Sequence, residues 1–230
     1  MEMRIGGDET AATGERWISV KNPATGEVID RVPAGAAEDV ARAVDAALAA
    51  ADGWKKKTMR ERGTVLFRAA AAVREQHKDL ARLLTQEQGK PLHEAIDEVR
   101  GFANILEFYA GISAQSSGDA VRLGAAGDCM VVREPLGVCA AIIPWNMPVL
   151  ILGWKTGPAL LAGNPLVVKP SSTTPLTSLR LAALLDQAGL PPGVLNMVTG
   201  TGVEAGEALV RHPEVKKISF TGNSVTGARV

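Results

Sequence analysis

The chain has few cysteines and no net charge. Its two cysteines, Cys129 and Cys139, are too few for a disulfide framework, so a reducing cytoplasm is the expected setting. Its 25 Lys and Arg balance 25 Asp and Glu, and no basic patch with interleaved aromatics occurs, which argues against nucleic-acid and membrane-surface partners. No apolar run approaches the roughly 20 residues that span a bilayer. Residues 1–13 are polar and lack the apolar core of a secretory signal.

Four short apolar segments, each followed by a polar or glycine-rich loop, dominate the second half of the chain. They cover residues 137–143, 166–168, 194–198 and 215–220, and helical patterns separate them. Strands that alternate with helices predict an α/β fold with a doubly wound parallel sheet, of the Rossmann-like kind. In such sheets the carboxyl ends of the strands face one crevice, where ligands bind.

The first half of the chain predicts helices and a protruding hairpin. Residues 1–35 are expected to form a polar arm with short strands at 17–20 and 28–32 around an Asn-Pro turn. Three helical patterns follow, with apolar faces at Val40 to Leu48, Leu66 to Leu84 and Ile96 to Tyr109. Segments 120–123 and 129–132 are expected to pair as a hairpin. The predicted divisions are therefore 1–116 (arm and helices), 117–135 (hairpin) and 136–230 (βα repeats).

The strand-end loops carry the candidate chemistry, and each also has a plain structural alternative. Two prolines hold the loop around Asn146, whose amide could donate to a developing oxyanion or could simply cap the next helix. Lys169 could reach ribose or phosphate, with Ser172 as a helix cap, or it could only extend toward solvent. The glycines of 200–206 only partly match a dinucleotide fingerprint, and a tight turn also explains them. Thr221 and Gly222 predict a helix start whose N–H groups could hold a pyrophosphate or merely be capped.

Taken in order, these motifs resemble the NAD(P)-dependent aldehyde dehydrogenase superfamily. The match runs through Asn22-Pro-Ala-Thr-Gly26, Gly89-Lys-Pro91, Pro144-Trp-Asn-Met-Pro148 and Phe220-Thr-Gly222, and it covers nearly the whole chain. The resemblance implies that Asn146 is the catalytic oxyanion-hole amide. It implies no metal, and it implies a cofactor site formed by Ile143, Pro144, Trp145, Asn146, Lys169, Ser171, Ser172, Gly202, Gly206, Phe220, Thr221, Gly222, Asn223 and Thr226.

The cofactor is expected to be NAD or NADP, because the chain departs from the family pattern at one informative position. Three residues after the ribose-binding Lys, many NAD-preferring members carry a Glu that bonds the ribose diol, whereas this chain has Ser172. A carboxylate would repel a 2′-phosphate and a hydroxyl would not, so NADP is expected to be accepted at least as well as NAD. A second departure, Asn223 in place of Ser, retains the ability to cap and donate.

The helix after Asn146 matches the substrate tunnel of the family. Its apolar face is predicted to consist of Met147, Leu150, Ile151 and Trp154, and ordinary core packing is the alternative explanation. In succinate-semialdehyde members an Arg at the Trp154 position binds the substrate carboxylate. The absence of that Arg favours a neutral or cationic aldehyde.

The family mechanism also needs a Cys nucleophile and a Glu base, and the resemblance puts both beyond Val230. We therefore expect the full-length enzyme to oxidise an aldehyde to a carboxylic acid, as a homodimer or homotetramer, and the 230-residue chain alone to be inactive. If the chain is a truncated enzyme, we expect it to aggregate through an open strand edge. The alternative is a non-catalytic nucleotide-binding or interaction module that is natural at this length.

Overall fold

The computed structural model describes residues 1–115 and 118–230, and at position 125 the backbone alone. The strands are β1 (Met3–Ile5), β2 (Asp8–Thr10), β3 (Trp17–Lys21), β4 (Val28–Pro33), β5 (Asp119–Arg122), β6 (Asp128–Val131), β7 (Cys139–Ile142), β8 (Leu166–Lys169), β9 (Leu195–Met197) and β10 (Lys217–Phe220). The helices are α1 (Ala37–Lys56), α2 (Met59–Glu75), α3 (His77–Gln88), α4 (Leu92–Ile112), α5 (Pro148–Leu161), α6 (Leu176–Gln187), α7 (Glu207–Arg211) and α8 (Ser224–Gly227). A 3₁₀ turn at Gly124–Ala126 and a π-helical turn at Gly202–Gly206 are also formed.

The main sheet has six strands in the order β10-β7-β8-β9-β1-β2. Strands β7, β8, β9 and β10 are parallel, as predicted, and β1 and β2 extend the sheet in antiparallel fashion. The chain proceeds from β7 to β9 on one side and then returns to place β10 on the other side of β7. Ligands of open α/β sheets bind where the strand order reverses in this way, so the carboxyl ends of β7 and β10 mark the expected crevice.

Helices cover both faces of the sheet, which confirms the doubly wound architecture. Along β8, Leu166 and Val168 pack into the core shared with α2 to α6, whereas Val167 packs into the core shared with α1 and α7. A strand that is buried on both faces has no polar side, because successive side chains point to opposite faces. This explains why β7 and β8 were recognisable as short apolar runs, whereas β10 at the sheet edge includes the exposed Lys217.

The N-terminal residues differ from the predicted polar arm. The structure confirms the strands near residues 17–20 and 28–32, but it also recruits β1 and β2 into the main sheet. Met3 is fully buried, and the Arg4 guanidinium donates to the Asp186 carboxylate at 2.7 Å. The short apolar signal of β1 was too weak to predict a strand, and pairing with β9 decides its conformation.

The helical prediction needs two corrections. The pattern from Leu66 to Leu84 is divided between two helices, because α2 ends at Glu75 and α3 begins at His77. Leu48 leaves the apolar face of α1 and is 39 % exposed. The third pattern is one helix, α4, as expected.

The predicted hairpin is formed by β5 and β6, which pair antiparallel over four residues each. Its strands are exposed along their whole length, including Val121, Met130 and Val131. Residues 116 and 117, where the predicted boundary falls, lie outside the described residues. Among the described helices, no segment has both the length and the apolar character needed to cross a membrane.

Candidate functional site

Three strand-end loops meet at the carboxyl edge of the sheet, and backbone hydrogen bonds tie each one to its neighbour. The Ile143 N–H donates to the Lys169 carbonyl at 3.2 Å, and the Thr221 N–H donates to the Ile142 carbonyl at 3.1 Å. The loops after β7, β8 and β10 are therefore held in fixed relative positions, which is what a site built from several loops requires.

A pocket of about 480 Å³ opens at this edge. This volume lies within the roughly 300–1,000 Å³ of small-molecule sites. Five of the residues predicted to bind the cofactor line the pocket: Lys169, Gly202, Gly206, Phe220 and Thr226. The other lining residues include Ile142 and Val210, so the wall combines apolar surface with a few polar groups.

Lys169 is the one buried ammonium group of the pocket among the described residues. Its Nζ donates to the carbonyls of Pro170 at 2.8 Å and Gly200 at 3.1 Å, and its side chain is 5 % exposed. Burial lowers the pKa of Lys169 to about 8. The group is still mostly protonated at neutral pH, so it offers a positively charged donor to a ligand hydroxyl or phosphate.

The glycine that begins the π-helical turn and the glycine two residues before it have different roles. A Cβ at Gly202 would meet no atom within 4 Å, so this backbone faces open pocket space. Gly200 has a φ of +147°, and a Cβ there would lie 2.6 Å from the Gly35 carbonyl oxygen. Gly200 is thus required by the fold, whereas Gly202 leaves room for a ligand to approach the backbone.

The Phe220 loop is compact, and its helix begins later than predicted. A Cβ at Gly222 would lie 2.5 Å from the Phe220 ring, so the ring itself explains this glycine. The helix α8 begins at Ser224, and the Asn223 side chain caps it by accepting from the Val225 N–H at 2.8 Å. The expectation that Asn223 still caps is confirmed, while the expectation that Thr221 and Gly222 open the helix is wrong. The Thr221 N–H is already used in the sheet.

Asn146 lies in the exposed loop between β7 and α5. Its backbone carbonyl accepts from Lys90 Nζ at 3.1 Å and from Gln88 Nε2 at 3.4 Å. The N-cap position of α5 is Met147, and its side chain makes no cap, so the alternative in which Asn146 caps this helix is wrong. Among the described residues, the Asn146 side-chain amide has no hydrogen-bond partner, and it is available to a ligand.

Two buried glutamates cap the helices that follow these loops. Glu98 of α4 accepts from the Val149 and Leu150 N–H groups at 2.9 and 3.0 Å, at the start of α5. Glu87 of α3 accepts from the Leu176 and Thr177 N–H groups at 2.8 and 2.9 Å, at the start of α6. A negative charge at a helix N-terminus satisfies its free amides and the helix dipole.

The sequence analysis missed this role of the two glutamates, although a signal for it exists. Glu98 lies on the apolar stripe of α4 that includes Ala95, Val99 and Phe102, and an acid on such a stripe is unusual. Glu87 continues the stripe of α3 in the same way. Moreover, Ser172 does not cap α6, whose N-cap position is Pro175 without a side-chain cap. Helices that lack their own cap residue must obtain one from elsewhere.

Trp145 and Ser172 line a second cavity of about 480 Å³, which also contains Glu87 and Lys21. The Ser171 and Thr173 hydroxyls share a hydrogen bond at 2.9 Å. The two cavities have no lining residue in common, so the predicted cofactor residues are not gathered in one pocket, and seven of them line neither cavity. Ile143 is buried and Pro144 is half-buried.

The burial of Glu87 predicts that the free energy of unfolding depends on pH. Burial raises its pKa to about 7 from the ordinary 4.5, against the opposing effect of its N–H donors. Because the folded state binds this proton more tightly than the unfolded state, the free energy of unfolding falls as pH rises from about 4.5 to about 7. This fall in the free energy of unfolding is expected to be about 3 kcal/mol in the wild-type protein. It is expected to be absent in the Glu87→Gln variant, which has no carboxyl group at this position. Urea unfolding of both proteins at pH 4.5, 6 and 8 measures it, and parallel pH profiles would contradict it.

The predicted substrate face of α5 is only partly exposed. Met147 and Trp154 are exposed and Leu150 is half-buried, whereas Ile151 is 7 % exposed and packs in the core. The spacing of three and four residues selects a face, but the packing of α5 against α4 turns Ile151 inward. Trp154 also lines a separate cavity of about 340 Å³ beside Cys139.

The two thiols are poorly suited to nucleophilic catalysis. Cys139 is buried in β7, and burial raises the pKa of its thiol, which disfavours the reactive thiolate. Cys129 is exposed on the hairpin strand β6. Neither belongs to the loops that surround Asn146.

Comparison with known proteins gives a consistent result. The model of the aldehyde dehydrogenase family matches residues 10–230. The structure of an NADP-dependent enzyme from E. coli is 40 % identical in sequence and superposes with a TM-score of 0.97. That match covers 99 % of this chain and 48 % of the E. coli chain. An aldehyde dehydrogenase from Brucella melitensis is 38 % identical, and the NAD⁺ complex of an aldehyde dehydrogenase from Bacillus cereus is 36 % identical. For both the TM-score is 0.96, and the match covers 99 % of this chain and 47 % of the other. The chain thus spans about half the length of these structures.

Proposed function

Because the chain belongs to the aldehyde dehydrogenase family, we propose that it supplies the dinucleotide-binding part and the oxyanion-binding amide of an enzyme that oxidises aldehydes to carboxylic acids. In this proposal, residues 1–116 form the arm and helical part, 117–135 the hairpin that joins subunits of a homodimer or homotetramer, and 136–230 the βα repeats. The setting we propose is the cytoplasm.

The pocket beside Lys169 is the observation that carries the proposal. NAD or NADP fits it, because Gly202 leaves its backbone uncovered and the Lys169 ammonium lies in the wall. Lys169 would donate to the adenosine ribose, and Gly202 and Gly206 would border the adenosine portion. Phe220, Thr226 and the loop of Thr221, Gly222 and Asn223 would border the pyrophosphate. When bound, the nicotinamide of the cofactor accepts the hydride from the substrate.

Asn146 would act on the other reactant. Its amide N–H groups are directed from a fixed loop and could stabilise the negative charge that develops on the aldehyde oxygen after attack by a thiolate. We propose that this thiolate and the water-activating base come from outside these 230 residues, because Cys139 is buried and Cys129 lies on the hairpin. The 230-residue chain alone would then bind the dinucleotide without oxidising aldehydes.

Substitution of Gly202 tests the pocket directly. Gly202→Leu is expected to weaken dinucleotide binding at least 10-fold without lowering the melting temperature, because a Cβ at this position meets no protein atom within 4 Å and Gly202 lines the pocket. Calorimetric titration of the 230-residue chain with NAD⁺ and with NADP⁺ measures this effect and the cofactor preference together. We expect NADP⁺ to bind at least as tightly as NAD⁺, because the residue three positions after Lys169 is the uncharged Ser172. Ser172 lines the second cavity, whereas Glu207 and Arg229 line the Lys169 pocket, so the titration also tests which of these residues faces the 2′-phosphate.

A matched control is available in Gly14, where a Cβ also meets nothing within 4 Å but which lies outside the pocket. Gly14→Leu should leave both affinities unchanged. Undiminished binding by Gly202→Leu would remove the pocket from the proposal. If the unsubstituted chain binds neither NAD⁺ nor NADP⁺, the alternative is favoured, namely an interaction module that binds no nucleotide.

The exposed face of α5 leads to a prediction about substrate charge. Met147, Leu150 and Trp154 follow Asn146 on the exposed side of α5, and none of these three side chains can pair with a substrate carboxylate. In the whole protein, kcat/KM for a neutral aliphatic aldehyde is expected to exceed that for succinate semialdehyde by at least 10-fold. Trp154→Arg should narrow this ratio. A wild-type preference for the anionic aldehyde would contradict the prediction.

A further inference from the structure

A buried ion pair lies directly behind the loop that carries Asn146. The Lys90 ammonium and the Glu98 carboxylate are in contact, and their side chains are 9 % and 1 % exposed. Lys90 comes from the loop between α3 and α4, and Glu98 comes from the second turn of α4. A buried pair of this kind contributes little net stability relative to apolar side chains, so its value must be sought in what it positions.

Each member of the pair holds the backbone on one side of Asn146. On one side, Lys90 Nζ donates to the Asn146 carbonyl at 3.1 Å. On the other side, the Val149 and Leu150 N–H groups at the start of α5 donate to the Glu98 carboxylate. Gln88 reinforces the arrangement, because its Oε1 accepts from the Lys90 N–H at 2.9 Å while its Nε2 reaches the Asn146 carbonyl. The segment from Asn146 to Leu150 is therefore fixed by charged groups from α4 and its preceding loop.

This attachment matters because the Asn146 side chain is exposed. Among the described residues it has no hydrogen-bond partner of its own, and no packed neighbour holds it as a core residue would be held. The position of its amide depends on the backbone from which it extends. Electrostatic stabilisation of a transition state requires donors that are in place before the charge develops.

We propose that Lys90 and Glu98 are positioning residues that set the location of the Asn146 amide for the reaction. This inference rests on the proposed oxyanion role of Asn146. The pair does not touch substrate or cofactor in this proposal, and its effect passes through the Asn146 backbone. Loss of the pair should therefore slow the chemical step more than it weakens the binding of either reactant.

A double-mutant cycle in the whole protein tests the proposal. The variant Lys90→Met with Glu98→Gln removes both charges together, so no unpaired buried charge remains to unfold the protein. We expect it to slow single-turnover reduction of the dinucleotide about 10- to 100-fold, with the dinucleotide Kd and the aldehyde KM changed less than about threefold. In an Asn146→Ala background the same two substitutions should lower the single-turnover rate less than about threefold, because the amide that the ion pair positions is already absent.

The outcomes separate this inference from the proposed function. If Asn146→Ala alone does not slow the reaction, the oxyanion role fails, and the inference fails with it. If Asn146→Ala slows the reaction but the pair of substitutions is fully additive to it, only the positioning role is overturned. A loss confined to dinucleotide affinity would also overturn it. Lys56→Met, at an exposed lysine near the end of α1, is the control for a changed lysine and should leave the rate unchanged.

Discussion

Replacement of Asn146 by alanine is expected to lower the single-turnover rate of aldehyde oxidation in the whole protein by about 10²- to 10³-fold. Two side chains of the loop between β7 and α5, the Asn146 amide and the exposed Trp145 indole, can donate a hydrogen bond without giving up an existing one in the described structure, and the proposal assigns the oxyanion to Asn146. A donor that meets the oxygen only when it becomes negatively charged contributes to the transition state rather than to ground-state binding. The dinucleotide Kd is therefore expected to stay within about twofold of the wild-type value.

The control for this prediction is Asn104→Ala. Asn104 is exposed on α4, where its Oδ1 accepts from Arg74 at a distance from the carboxyl edge of the sheet. Its removal should change the rate less than twofold. A rate for Asn146→Ala within about threefold of wild type would show that the oxyanion is stabilised by other donors. An equal loss of rate and of dinucleotide affinity would instead indicate a disturbed loop.

The second large effect is expected in stability. Substitution of Arg62 by methionine should lower the free energy of unfolding by about 3 to 5 kcal/mol, because several buried carbonyls would lose a charged donor at once. The Arg62 Nε donates to the Leu161 carbonyl at 2.7 Å, at the end of α5. Its Nη1 donates to the carbonyls of Trp54 and Lys57, at the end of α1. One guanidinium therefore neutralises the negative ends of two helices, and burial lowers its pKa without removing its charge.

Urea unfolding of the 230-residue chain measures this loss as a lower midpoint at an unchanged m-value. Arg60 is the matched control, because it belongs to the same helix, α2, and is exposed. Arg60→Met is expected to change stability by no more than about 0.5 kcal/mol. A loss of less than about 1 kcal/mol for Arg62→Met would mean that water replaces the guanidinium at the two helix ends.

Glu87 and Glu98 share one principle. Prolines and apolar residues occupy the first positions of α5 and α6, so these helices do not begin with residues that cap them. Buried carboxyl groups from α3 and α4 accept from the free amides instead, while Arg62 of α2 binds the carbonyls at the far end of α5. The helical layer therefore does more than cover the sheet, because it determines where the site loops begin and end.

The parallel strands and the polar loops that follow them could be predicted from the amino-acid sequence. Strands β7 and β8 are buried on both faces and are therefore mostly apolar, so they were recognisable without any knowledge of their neighbours. Strand β10 lies at the sheet edge and includes the exposed Lys217, so the Thr-Gly loop that follows it was the stronger signal there. Parallel strands end at the same edge of their sheet. For that reason Lys169, Gly202, Gly206, Phe220 and Thr226 could be assigned to one region, and the structure brings them to one pocket.

Features that depend on partners far apart in the chain became apparent only in the folded structure. The strand order, with β10 beside β7 and β1 beside β9, follows from packing that no local pattern encodes. The break between α2 and α3 and the inward turn of Ile151 arise in the same way. Glu98 meets its amides 51 and 52 residues further along, and Glu87 meets its own 89 and 90 residues away. Hydrogen bonds between such distant groups exist only once the helices have packed. The candidate residues of the loops could therefore be predicted from the sequence, but the glutamates that hold those loops in place could not.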